Sequence, residues 1–317
     1  MTRTTVDTKV ISRAVELACR APSLHNSQPW RWVAGETGVD LYVDPGRIVA
    51  STDSSGRQAV ISCGAVLDHF RVALSAGGWE SNVDAFPNPN NLDHLASIDS
   101  TPMDYVAEAR RDRAAAILRR RTDRRPFGPP EVWGSLEPVL RGAVDRDVIA
   151  LDVLADDARP RLVEASALNE ALRRYDDPYH QELRWWTGGF TWPEGSHDVE
   201  VNRRFPAGEH AETAAPEVED HAKILVLSTF GDTRADALDC GQALSAILLE
   251  ATIAGLATCP VTHVTELAAS RDIVSELITD RGATPQVVVR VGMAPPGAGQ
   301  PEPTPRRPLS DVFEVRS

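Results

Sequence analysis

The stretch AVISCGAVLDHFRVALSAGG, residues 59–78, decides how the rest of the chain is read. Its apolar positions run almost unbroken from Ala59 to Ala76, too far for a strand, and Gly77-Gly78 stops it, so it reads as a buried helix. The pattern returns once. Cys240-Gly241-x-x-Leu244, ending at Gly255, matches Cys63-Gly64-x-x-Leu67, ending at Gly78, at one constant offset of 177 residues. The second copy lies in another long buried helix, 234–254, and both helices are alanine-rich, closed by glycine and followed by a short extended segment. Chance similarity between two buried helices is one reading. The other is that the chain holds two copies of one unit.

Around these helices, apolar spacing predicts a helix over 10–20 that stops before Pro22, and strands over 39–43 and 83–86. A basic helix over 105–121 breaks at Pro126 and Pro129-Pro130. Helices over 130–143 and 159–174 flank a strand over 148–154, and a strand over 224–229 precedes the second long helix. A capped helix over 265–279, a strand over 286–291 and a proline-rich tail to Phe313 complete the chain. Residues 176–216 break this rhythm, with three of the seven tryptophans set amid glycine, proline and charge. Long segments of this kind are lids or disordered insertions, and the clustered aromatics favour a lid.

At 317 residues the chain is about twice the roughly 150 residues of a usual single domain. Hydrophobic residues at 42% and charged residues at 25% are ordinary globular usage. A net charge of -13 repels nucleic-acid backbones and anionic membranes, so neither is expected as a partner. Of 33 basic residues only Lys9 and Lys223 are lysine, which leaves planar arginine forks wherever an anion must be held. Four cysteines without a C-x-x-C pair make neither a disulfide framework nor a thiolate zinc site, and a reduced, cytoplasmic setting is expected. The N-terminus lacks an apolar signal core, and no membrane span is expected.

Three motifs carry chemistry. Ala21-Pro22-Ser23-Leu24-His25-Asn26-Ser27-Gln28-Pro29-Trp30 sets hydroxyl, imidazole and amide groups between two prolines, a dense donor and acceptor set for a flat polar heterocycle or a phosphate ester. A helix-capping loop that satisfies its own backbone is the alternative. Arg119-Arg120-Arg121-Thr122-Asp123-Arg124-Arg125 suits a phosphate held by bidentate forks, or else is a solvated charge run at a helix C-terminus. Pro305-Arg306-Arg307-Pro308 adds two forks on a rigid segment. Dinucleotide-fold, P-loop, zincin and α/β-hydrolase signatures are absent, and the scattered histidines suggest no metal; only His25 and His263 fall within candidate site segments.

Taken together these residues resemble the nitroreductase family. The A-P-S-x-x-N-x-Q-P-W motif at 21–30 is similar to that family's FMN-contacting motif, and Arg120-Arg121-Thr122-Asp123-Arg124 to its R-R-S-x-R phosphate-binding entry, with Thr for Ser. Gly241 to Leu244 with Gly255 to Pro260 resembles its core helix and the turn beside the isoalloxazine ring. Val289 to Met293 and Pro305 to Leu309 resemble its last strand and basic tail. The order differs: in an ordinary member the Arg motif comes first and a homodimer builds each FMN site from both subunits.

A fused pseudo-dimer accounts for this order. The resemblance then implies an α+β nitroreductase-like fold of two pseudo-repeats, with central mixed β-sheets flanked by helices, a first half over 1–105 and a second over 106–317 that carries a lid insertion at about 176–216. It implies a monomer with one FMN site. Arg120, Thr122 and Arg124, helped by Arg306 or Arg307, would hold the phosphate; Ser23, His25, Asn26 and Gln28 would contact the flavin and ribityl chain; Pro260, Val261 and Thr262 would lie along the ring. No side-chain acid or base is required, since the hydride chemistry is the cofactor's. Two functions follow: an FMN oxidoreductase passing electrons from NAD(P)H to a nitroaromatic or quinone, or a lidded protein that sequesters FMN with little turnover.

Overall fold

A computed structural model describes residues 6–36, 38–187, 199, 201–203, 219–297 and 299–316. The first part of the chain runs α1 (Thr8–Ala18), β1 (Trp30–Ala34), β2 (Val39–Val43), α2 (Arg57–Ala76), β3 (Trp79–Ala85) and β4 (His94–Pro102). The second runs α3 (Glu108–Arg119), α4 (Trp133–Gly142), β5 (Ile149–Leu154), α5 (Arg159–Arg173), α6 (Asp177–Thr187), β6 (Lys223–Thr229), α7 (Arg234–Ile253), β7 (Ala257–Val261), α8 (Ala268–Ser275), β8 (Thr284–Gly292) and β9 (Phe313–Val315). One sheet has the order β3-β4-β2-β1-β9 and the other β5-β6-β8-β7. All pairings are antiparallel except β9 on β1. The first sheet is thus completed by the last strand of the chain.

Helices α2 and α7 pack against each other between the two sheets. Both are apolar almost all round, which is the signature of a helix buried on every side. They cross where neither has a side chain: a Cβ on Gly64 would lie 2.1 Å from the Leu238 carbonyl oxygen, and one on Gly241 would lie 2.0 Å from that of Ile61. The approach is reciprocal: Gly241 stands to Gly64, and Leu238 to Ile61, at the 177-residue offset. Asp68 and Ser245, at the same offset, are hydrogen-bonded to each other across the crossing. By length and composition α2 could cross a membrane, but here it is a core helix.

One core runs through both parts, from Ile11 and Val15 of α1 through Trp30, Trp32 and Phe70 to Ile247 and Val289. Behind the second sheet a further cluster packs α5 and α8 against β6 and β8. The entry to α2 is set by Asp53, whose buried carboxylate accepts from the Gln58 and Ala59 backbone N–H groups and satisfies donors that the helix end leaves open.

Two sequence expectations need correction. Residues 177–187 are a helix, α6, with Tyr179 and Leu183 turned inward, rather than an irregular insertion; the rest of the expected lid, apart from residues 199, 201–203 and those after 218, lies outside the described residues. The helix expected over 265–279 is shorter, because a 3-10 turn at His263–Thr265 precedes it.

Candidate functional site

The loop between α1 and β1 has an unusual backbone. His25, Asn26 and Gln28 all have positive φ, at 49°, 56° and 50°. Three non-glycine residues of four in the left-handed region store strain that must be held from outside, and such strain concentrates at functional loops. The holding contacts are visible. Ser23 Oγ accepts from the Gln28 N–H at 3.0 Å, Leu24 N–H donates to Ser62 Oγ on α2, and Asn26 Nδ2 donates to the Pro305 carbonyl at 2.9 Å. Gln28 Oε1 accepts from the Arg307 N–H. Helix α6 lies over the same loop; Glu182 accepts from the Ser51 N–H at 2.7 Å, and Arg47 stacks on Trp186 at 4.9 Å.

Below the loop is a slot lined by Pro22 to His25 on one side and Cys259 to His263 on the other. Gln58, Ser62 and Leu244 form its floor with Thr122, Arg124, Asn202 and Arg203 around them. Counted with its mouth it holds about 740 Å³ of empty space, yet only about 100 Å³ of it admits the centre of a water molecule. Gln58 is 3% exposed, and neither its side-chain nitrogen nor its oxygen has a partner. An unbonded buried amide costs about 1–3 kcal/mol, so its presence in the slot is a demand for a ligand that both donates and accepts.

The arginine motif is divided by the fold. Arg124 and Thr122 line the slot, and burial with Arg203 nearby holds the Arg124 pKa below its usual range. Arg120 lies elsewhere, in a cluster with Arg20, Arg121 and Arg306 that contains no carboxylate partner for it among the described residues. It is 5% exposed, donates once to the Arg20 carbonyl, and keeps Nε and Nη1 unbonded. Burial, then its three cationic neighbours, push its pKa down to about 9, and Arg306 is pushed down to about 10 by burial and Arg20. Arg120 is buried among three partly exposed cations with no carboxylate partner among the described residues, and an anion joining the cluster would offset the cost of that burial. Arg306 reaches it from the tail by donating to Asn26 Oδ1 and the Arg20 carbonyl.

Of the residues singled out in the sequence, Ser23, His25, Thr122, Arg124, Pro260, Val261 and Thr262 come together in the slot, and Arg120 and Arg306 in the cation cluster. Asn26, Gln28 and Arg307 form a brace between loop and tail; Arg307 faces the Gln28 and Asp311 carbonyls and, at 3.6 Å, Asp44. Sequence reasoning passed over Gln58, Ser62, Asn202, Arg203 and Arg20. Gln58 had a signal, as a polar residue in the first turn of an otherwise apolar helix. Asn202 and Arg203 had none, because their placement depends on distant partners: buried Arg290 holds Asn202 Oδ1 at 3.1 Å, and Glu266 with Tyr179 holds Arg203.

No family model matches the chain. Over 328 residues, 100% of this chain and 99% of the relative, it is 53% identical to a Mycobacterium tuberculosis protein named "Putative NAD(P)H nitroreductase acg". The chain belongs to the nitroreductase family. A second M. tuberculosis protein of the same descriptive name is 37% identical to this nitroreductase over 97% of this chain and 92% of the relative. Among solved structures, a nitroreductase from Anabaena variabilis matches 92% of this chain and 90% of its own with a TM-score of 0.55 at 10% identity, which shows the nitroreductase fold.

Proposed function

We propose that this chain is an FMN-dependent oxidoreductase that takes hydride from NAD(P)H and passes it to a nitroaromatic or quinone-type acceptor. The observation that carries the reading is the cluster of Arg120, Arg20, Arg121 and Arg306, which holds no carboxylate among the described residues and leaves two guanidinium nitrogens of Arg120 unbonded, beside the slot that Thr122 and Arg124 line. Arg120 and Arg306 would hold the terminal phosphate, and Thr122 and Arg124 the flavin side of the chain. Ser23, His25, Gln58 and Pro260 to Thr262 would border the ring. When bound, the flavin supplies the two-electron hydride chemistry. The residues themselves supply charge complementarity, orientation and exclusion of water, and the relatives' NAD(P)H nitroreductase names support the donor.

The reciprocal Gly64–Gly241 crossing supports descent from a duplicated unit, with one chain supplying both halves of the site. One FMN per chain and a monomer are then expected. Helix α6, tied over the loop by Glu182 and Trp186, favours a second reading in which access to the flavin is restricted and turnover is low. A single experiment separates them. The purified holoprotein is mixed anaerobically with NADPH or NADH: rapid bleaching of the flavin absorbance supports the oxidoreductase, whereas bleaching seen only in the Glu182→Ala/Trp186→Ala variant supports restriction. A protein that binds no FMN overturns both.

A further inference from the structure

A second cavity lies between α5 and α6, on the far side of Arg203 and His263 from the flavin slot; both residues line both spaces. It admits water-sized centres over about 630 Å³, against about 100 Å³ in the slot, and falls within the roughly 300–1,000 Å³ of small-molecule sites. In a protein of net charge -13 the described residues of its lining carry four guanidinium groups, Arg173, Arg203 and the exposed Arg174 and Arg184, and one carboxylate, Glu170. Arg173 is paired with Asp176 and Arg203 with Glu266. Arg174 and Arg184 have no carboxylate partner among the described residues, and the buried Nε of Arg173 has no hydrogen bond. Tyr179 supplies a buried ring carrying the Arg173 guanidinium at 4.9 Å, and Leu183 and Ala171 add apolar surface.

We propose that this cavity is a binding site for a small aromatic anion, a planar ring bearing one carboxylate or phosphomonoester. The ring would pack on Leu183, Ala171 and the edge of Tyr179, and the anionic group would take the forks of Arg174 and Arg184. An occupant would be one layer of side chains from the slot, so the site is placed to select an electron acceptor or the phosphorylated end of a nucleotide donor. That last assignment rests on the flavin reading; the anion site itself does not.

The test uses titration calorimetry on the full chain, with and without FMN, and two matched pairs: benzoate against benzamide, and 2′-AMP against adenosine. Saturable binding at least about tenfold tighter for the anion of either pair is expected, the preferred pair identifying a carboxylate or a phosphomonoester. Arg174→Ala/Arg184→Ala should abolish the preference, and Ala171→Trp, which fills the cavity from an exposed position, should abolish binding, with FMN affinity unchanged in both. Equal affinity for anion and neutral partner in both pairs, or a preference that survives both variants, overturns the proposal. Failure of FMN to bind would overturn the flavin reading while leaving the anion titration of the apoprotein to decide this one.

Discussion

Gln58 is buried at the start of α2 with both ends of its amide unbonded, and this gives two effects of opposite sign. Gln58→Leu removes an unsatisfied polar group, so the apoprotein should melt no lower than wild type, while FMN affinity should fall about tenfold for one lost hydrogen bond. Thermal melting and a flavin fluorescence titration check the pair; a parallel loss of both would mark Gln58 as structural. Arg120 behaves alike with larger amplitude. Arg120→Met should raise apoprotein stability and weaken FMN by at least about a hundredfold, two charged hydrogen bonds being worth about 1.5–3 kcal/mol each. Retained affinity in equilibrium dialysis would remove the phosphate assignment. At this scale the sequence shows which groups are chemically able to bind, since loop and arginine motif are compact in the chain. It does not show that Arg120 and Arg124 part company. That depends on α3 ending at Arg119 and the Thr122–Thr258 bridge carrying the next residues alongside β7.

The two glycines of the α2/α7 crossing set how near the helices come. Gly64→Ala or Gly241→Ala drives a methyl group into a backbone carbonyl, and each should destabilise by at least about 3 kcal/mol, the upper range for overpacking. Because both substitutions open the same crossing, the double variant should cost clearly less than the sum, and urea unfolding of the four proteins measures that coupling. Additive losses would mean that the helices separate elsewhere. These elements were the most legible part of the chain: long apolar runs with glycine stops are strong signals, and α2 and α7 fall within two residues of their expected bounds. The strands β1, β4 and β9 were not resolved in the sequence: alternation over the five residues of β1 is weak, β4 carries serine and aspartate among its apolar residues, and β9 exists only through its partner β1. Helix α6 was obscured by its own Trp185-Trp186 pair and by the glycines that follow it in the sequence.

Across the whole molecule, burial holds three histidines neutral. His69 is pushed down to about 3 by burial and then by Arg120, and its surroundings also include Arg113, Arg306 and, through Ser245, Asp68. His25 and His263 are lowered for the same first reason. A histidine neutral in the fold but free to protonate when unfolded makes the unfolded state bind more protons, so its share of stability falls as pH drops from about 6.5 towards 3. Buried Asp68 and Glu266, whose pKa values are raised, act in the opposite direction. Comparison with a variant isolates the histidine: His69→Leu should flatten the stability–pH slope by about 1.4 kcal/mol per pH unit in that window, measured by urea midpoints, and parallel slopes would contradict it. The pairing of α2 with α7 was legible at this scale from one offset in two helices; the crossover of β9 into the first sheet was not, since nothing local encodes a partner nearly three hundred residues away.

That crossover has a consequence for biosynthesis. Asn26, Gln28 and β1 wait for Pro305, Arg306, Arg307 and β9. At roughly 5–20 residues per second on the ribosome, the loop stays unbraced until Pro305 to Arg307, about 280 residues later, have been made. A chain truncated before residue 305 would keep Arg120 and lose the Arg306 arm of its cation cluster together with the brace on Asn26 and Gln28.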